Sequence, residues 1–381
     1  MDIQQLLKSS ETPLYVYKEE DIYKNYKLIH DSIPYVNKQI HYAVMCNNRK
    51  EILKIFHQLG CAVHINSLHE LELVKNAGFK SSQISFTSTG LDSDSILILS
   101  GQNIQINLDS LEELEKLGKL KPYYKVGIRV KMKDDIVLPE GHTNSPKDSD
   151  IGINISDIET VKTITNKYNL KINGVHGYLA SNILDSKPFL EAADFLKDAA
   201  KLFPDLEYIN FGGGFGIPDN SDINDFDFGR VCEYYSNVTH ELSKFNGRSI
   251  QVKIEPGRVL MASCGNIYTR VTNIKHIEGK KQVVINAGFA EFIRPQIYNT
   301  CCEIEVENNS CEKEIYDIRA NTVLQSDFLA RNILLPRIHE GDILTIKNAG
   351  AYGAVMATGF PGKRLPTEVL ITRNGNVHKL N

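Results

Sequence analysis

Between residues 20 and 255, short apolar runs alternate with longer segments in which apolar positions recur every three to four residues. The runs at 40–45, 61–65, 84–88, 104–108, 125–131, 172–178, 206–211 and 250–255 predict eight strands. The segments between them predict helices. In 50–59, Ile52, Leu53, Ile55, Phe56 and Leu59 share one helical face, and Gly60 closes it. Ser67, with Glu70 three residues on, forms a capping box for a helix ending at Gly78. Helical periodicity returns at 111–117, 158–168, 188–203 and 228–242, and a helix over 19–33 precedes the first strand. Alternating strands and helices imply a parallel sheet. Eight such units in about 235 residues fit a closed (β/α)8 barrel over 20–261. A doubly wound open sheet is the main rival from the alternation alone.

Past residue 260 the helical period fades. Runs at 267–272, 282–285, 304–306 and 343–347 are strand-like, so 262–381 reads as an all-β domain. The apolar stretch 13–17 lies ahead of the first helix and is expected to join that domain, which then comprises 1–19 and 262–381. Residues 133–150 are polar, carry Gly and Pro, and follow the fifth strand, which predicts a mobile loop on the active face of the barrel.

Composition narrows the function classes. The chain has 381 residues, 42% of them hydrophobic, enough for a large core. A net charge of −4 gives no basic excess for nucleic acid or anionic membranes. No apolar run approaches the roughly 18 residues of a membrane span. The opening residues lack an apolar signal core, so a secretory signal is not expected. The seven cysteines include no C-x-x-C pair. Adjacent Cys301 and Cys302, with Cys311 beyond, have no histidine nearby and make a poor metal site. A reduced, cytoplasmic protein without metal or disulfides is expected.

Two motifs carry chemistry. Gly212-Gly213-Gly214 follows the seventh predicted strand. Consecutive glycines let backbone amides approach an anion, and late barrel strands often end in phosphate sites. A tight strand–helix turn accounts for the same residues. Glu255-Pro256-Gly257-Arg258 ends the eighth strand and places a carboxylate at the barrel mouth, with an arginine suited to a phosphate. A surface ion pair is the plainer alternative.

These two motifs occur in order with His41-Tyr42-Ala43-Val44-Met45-Cys46-Asn47, Asn286-Ala287-Gly288, Arg294-Pro295-Gln296-Ile297-Tyr298, Gly341-Asp342 and Gly350-Ala351-Tyr352-Gly353. Over nearly its whole length the chain resembles the fold-type III pyridoxal phosphate decarboxylases that act on diaminopimelate, ornithine and arginine. The C-terminal segment resembles members from siderophore, antibiotic and exopolysaccharide gene clusters, some of which act on carrier-bound amino acids. The resemblance implies an alanine-racemase-like TIM barrel plus a β domain. It further implies a homodimer with shared active sites, and a small amino-acid-like or carrier-protein-bound substrate. It assigns Gly212, Gly213, Gly214, Arg258, Ser181 and Tyr352 to the cofactor phosphate and Glu255 to the pyridine nitrogen. Arg294 and Tyr298 match substrate-side positions. Asp327 matches an acidic residue delivered by the partner subunit.

The same resemblance marks what is missing. Met45 stands where the family keeps its Schiff-base lysine, and a thioether forms no imine. Methionine roughly matches lysine in shape, so the fold tolerates the exchange. Tyr178 takes the place of the ring-stacking histidine, and Val323 that of the proton-donating cysteine. A Ser-Lys-Phe-Gly motif reads Ser149-Asp150-Ile151-Gly152. Several catalytic positions changing together favours natural divergence over a single engineered Lys→Met change. The expectation is a degenerate site that binds pyridoxal phosphate, or another phosphorylated ligand, without a covalent link. A non-catalytic partner of an active decarboxylase remains an alternative. So does a lysine relocated to Lys131, which shares a face with Arg129, or to Lys253, which shares one with Glu255.

Overall fold

The computed structural model describes residues 3–217, 226–298, 302–308 and 310–381; Cys301 lies outside them. Strand β1 (Leu14–Lys18) comes first in the chain. The next eight strands are β2 (Lys38–Ala43), β3 (Ala62–Ile65), β4 (Ile84–Thr87), β5 (Gln105–Leu108), β6 (Lys125–Arg129), β7 (Lys171–His176), β8 (Tyr208–Asn210) and β9 (Gln251–Ile254). They close into a parallel barrel in chain order, with β9 returning to β2. The barrel belongs to a compact unit of residues 26–217 and 226–257. The open-sheet alternative is thereby set aside.

Most of the barrel strands stop sooner than their apolar runs. The first predicted strand ends at Ala43, and Val44–Cys46 turn as a 3-10 helix held by the Tyr42 hydroxyl, which donates to the Asn47 carbonyl at 2.8 Å. Caps follow the sequence. Ser67 accepts from the Glu70 amide, and the Glu70 side chain reaches back to the Asn66 amide. Asp92 and Ser110 cap the next two helices in the same way.

Inside the barrel the alternating side chains are largely polar. Tyr208 fills a space left by two glycines. A Cβ on Gly174 would fall 1.8 Å from its ring, and one on Gly127 would fall 2.0 Å from its hydroxyl. The hydroxyl donates to Asn107 Oδ1 at 2.6 Å across the barrel. Nearer β2, His41 is 1% exposed, with its ring nitrogens beside Ser85 Oγ (3.0 Å) and Gln39 Oε1 (3.0 Å). Burial, reinforced by the Lys253 charge, pushes its pKa down to about 3.

The second unit comprises residues 3–25 and 258–381. Its strands are β10 (Gly265–Ile277), β11 (Lys280–Ile285), β12 (Ile304–Val306), β13 (Lys313–Ala320), β14 (Phe328–Pro336), β15 (Ile343–Ile346), β16 (Thr367–Ile371) and β17 (Val377–Lys379). The sheet runs β14-β13-β11-β10-β1-β16-β17, with β15 pairing β10 and β12. The N-terminal strand β1 pairs antiparallel with β10 and parallel with β16, as its sequence position led one to expect. Leu6 and Leu7 of the first helix pack with Leu14, Val16, Tyr268 and Val369 over this sheet.

Two stability predictions follow from the barrel interior. Gly174→Ala drives a methyl into the Tyr208 ring and should lower unfolding free energy by about 1–3 kcal/mol, read by urea denaturation. His41 has a depressed folded pKa, so its contribution is full above the unfolded value of 6.5 and is lost as pH falls from there toward 3. His41→Gln should therefore flatten the acid side of the stability profile by up to about 1.4 kcal/mol per pH unit. Parallel slopes for wild type and variant between pH 7.5 and 5 would contradict this.

Candidate active site at the barrel mouth

Glu255 follows the last residue of β9, so it projects at the C-terminal end of the barrel. It is 7% exposed. Its Oε1 lies 2.9 Å from His64 Nδ1 at the end of β3 and accepts from Asn210 Nδ2 on β8 at 2.7 Å. Its Oε2 lies 3.1 Å from His176 Nε2 on β7. The two imidazoles face each other nearly parallel, 13° apart, with ring centres separated by 6.2 Å. Burial alone pushes the Glu255 pKa up, but the adjacent imidazoles outweigh it and hold the carboxyl well below the usual carboxylate range. Burial also lowers the pKa of His176, whose Nδ1 is buried without a partner. The result is a fixed anion at the centre of the mouth.

The glycine triad sits directly beside it. The Glu255 amide donates to the Gly212 carbonyl at 2.7 Å, and the Gly212 amide donates to Asn210 Oδ1 at 3.0 Å. Close packing dictates the glycines. Added Cβ atoms would lie 2.3 Å from the Gly177 carbonyl at Gly212, 2.3 Å from the Glu255 carbonyl at Gly213, and 2.0 Å from the Ala180 carbonyl at Gly214. Gly212 and Gly214 also take positive φ, +68° and +94°. The tight turn is thus present, and among the described residues the amides of Gly213 and Gly214 donate to no protein acceptor. Such amides are what an anionic group needs.

Tyr178 and Ser181 come from the loop after β7 that packs on the triad. Their hydroxyls are hydrogen-bonded to each other, and Asn144 Nδ2 donates to Ser181 Oγ at 3.0 Å. The Arg129 guanidinium lies 5.6 Å from the Tyr178 ring centre. Met45 occupies the turn after β2 and is 49% exposed. That turn starts beside the EPG segment, because the Ala43 amide donates to the Pro256 carbonyl at 3.2 Å. Lys131, on the same face, lies 4.0 Å from Asp150. Lys253 does not reach the mouth: its amine bonds Gln105, the first residue of β5, at the opposite end of the barrel.

The remaining candidates lie in the second unit. The Arg258 guanidinium stands 5.3 Å from the Tyr352 ring centre. Tyr352 is held in the left-handed region, φ 53°. Its loop is fastened by Arg294, which is 7% exposed and donates to the Asn348 and Ala351 carbonyls at 3.1 and 3.2 Å. Tyr298 ends a short helix (Arg294–Tyr298) and is half-buried. Val323 is 88% exposed in the turn between β13 and β14. Asp327 is 1% exposed, and its carboxylate accepts from the Phe289 amide (2.9 Å), Thr322 Oγ1 (2.7 Å) and Gln296 Nε2 (3.2 Å). Those donors tie it to the turn around Phe289.

The sequence motifs singled out Glu255 and the triad but passed over His64, His176 and Asn210. The signal was available in the two-residue alternation of barrel strands: each is a polar residue at the inward position nearest the end of its strand.

Comparison with known proteins agrees with this geometry. The family model described as "Pyridoxal-dependent decarboxylase, pyridoxal binding domain" matches residues 19–262. The diaminopimelate decarboxylase of Neisseria meningitidis serogroup B is 30% identical, over 98% of this chain and 91% of its own. That of Methanothermobacter thermautotrophicus is 28% identical, over 99% and 90%. The crystal structure of diaminopimelate decarboxylase from M. jannaschii in co-complex with L-lysine superposes with a TM-score of 0.89 at 26% identity, covering 100% of this chain and 91% of that one. With a matched region that spans the whole barrel, the chain belongs to the pyridoxal-dependent decarboxylase family.

Proposed function

We propose that this protein binds pyridoxal phosphate, or a related phosphorylated ligand, reversibly at the barrel mouth and does not perform ordinary amino-acid decarboxylation. The observation that carries this reading is a contrast within one mouth. The anion-accepting amides of Gly213 and Gly214 and the fixed Glu255 carboxylate are retained, while residue 45 is a methionine. The residues fit the cofactor at its phosphate and its ring nitrogen but offer no amine at position 45 for its aldehyde. Bound there, pyridoxal phosphate would supply a cationic ring able to withdraw electrons from an attached amino acid.

The chain's own groups do the rest. Gly213 and Gly214 would hold the phosphate through their amides, and Tyr178 offers an aromatic face in the loop packed on the triad. Glu255, kept anionic by its neighbours, would keep the ring nitrogen protonated. Val323 supplies no proton to a reacting carbon. The Lys253 amine is turned to the other end of the barrel and Lys131 lies 4.0 Å from Asp150, which supports a site without a relocated lysine. A small amino-acid-like or carrier-bound ligand, a homodimer sharing its sites and a role in a cytoplasmic biosynthetic pathway complete the proposal, on the strength of the family.

Purified protein should take up pyridoxal phosphate and release it on dialysis, and borohydride should fix no cofactor to the chain. Met45→Lys should convert the bound cofactor into a borohydride-stable adduct at residue 45, located by peptide mass spectrometry. A stable adduct at Lys131 or Lys253 in the wild type would overturn the proposal. Decarboxylation of an amino acid by the Met45→Lys protein would instead point to an otherwise intact enzyme. Glu255→Gln removes the charge that holds the ring nitrogen and should weaken cofactor binding by about tenfold, as expected for losing one charge-assisted hydrogen bond. Equal affinity in Glu255→Gln, measured by fluorescence titration, would show that the ring does not sit on this carboxylate.

A further inference from the structure

The barrel has a second end, built from the N-terminal ends of its strands. A cavity of about 480 Å³ opens there, lined by Gln105, Lys125, Asn173, Glu207, Tyr208 and Lys253, among others. Lys253 is 4% exposed. Its amine donates to Gln105 Oε1 and lies 4.3 Å from the Tyr208 ring centre. Among the described residues no carboxylate stands within ion-pair distance of it. An ammonium has three protons to donate, and a buried one is ordinarily paired with a carboxylate. Two further polar atoms of the same lining are buried and unpartnered: Gln105 Nε2, a donor, and Asn173 Oδ1, an acceptor. Lys125 and Glu207 are paired with each other, which leaves Lys253 without a carboxylate in direct contact.

We propose that this floor cavity binds a small monocarboxylate that also carries a hydroxyl or amino group. Its carboxylate would accept from Lys253 Nζ and Gln105 Nε2, which project from neighbouring points of the lining, and its second group would donate to Asn173 Oδ1. A phosphate dianion suits the site poorly, because one ammonium offsets only half its charge and Glu207 lies in the same wall. The proposal is independent of the reading of the mouth, which occupies the opposite end of the barrel.

The charge state of Lys253 gives the pH dependence. Burial pushes its pKa down to about 7 even against the upward pull of Glu255 and Glu207. His41 and Tyr208 are the other titratable groups facing it. A carboxylate binds the ammonium form, so binding should be full below pH 7 and weaken roughly tenfold per unit above it.

The test uses the full chain and lactate as probe, with inorganic phosphate and chloride at matched ionic strength. Lactate should raise the melting temperature saturably at pH 6.5, the effect should vanish by pH 9, and Lys253→Met should not respond. Neither phosphate nor chloride should give a saturable shift. As a second measurement on the wild type, reductive ¹³C-methylation should show one lysine resonance titrating near neutrality, moving to higher pH when lactate is added. Equal lactate responses in wild type and Lys253→Met would overturn the proposal. So would the absence of a saturable response in the wild type, or a Lys253 titration that lactate leaves in place.

Discussion

The mouth of this barrel is organised by one buried anion. Glu255 is taken out of water at the end of β9, where an unpartnered carboxylate would cost several kcal/mol. Three strands each supply a group that prevents this: His64 from the end of β3, His176 from β7 and Asn210 from β8. The same Asn210 then bonds the Gly212 amide, and the Glu255 amide bonds the Gly212 carbonyl. The geometry of the glycine turn is therefore tied to the carboxylate from both sides. The loop after β7 packs against that turn and carries Tyr178 and Ser181 with it. Displacing Glu255 would loosen all of these at once.

This dependence separates what packing keeps in place from what it leaves unconstrained. The kept residues are mutually constrained: the triad because any side chain would strike a carbonyl, Glu255 because its partners come from three strands. Met45 and Val323 are under no comparable constraint. One is half exposed in a turn and the other lies 88% exposed between two strands. Packing makes little demand on side-chain identity at exposed positions of that kind.

Much of the barrel was legible in the sequence, because each strand is a short apolar run closed by a turn or a capped helix. The strand ends were less so. Residues 44 and 45 continue the apolar run but leave the sheet, since the Tyr42–Asn47 bond favours a turn that composition does not reveal. In the second unit, β13 and β14 escaped notice because charged residues interrupt them, as in Lys313–Ala320. The alternation is intact there, with Tyr316, Ile318 and Ala320 buried, but it is obscured by Asp317, itself buried and bonded to the Asn332 amide. Asp327 illustrates the limit of motif reading. The resemblance matched it to an acidic residue delivered by the partner subunit, while its contacts within this chain are with the Phe289 amide, Thr322 and Gln296. Which role a carboxylate plays is decided by neighbours far away in sequence.

Tyr208 carries one more implication. Seated over Gly127 and Gly174 and bonded across to Asn107, it acts as a bulkhead inside the barrel. The two ends of the barrel therefore present different polar groups, the Glu255 cluster at the strand C-termini and Lys253 with Gln105 at the N-termini, so a change of chemistry at one end leaves the groups at the other in place.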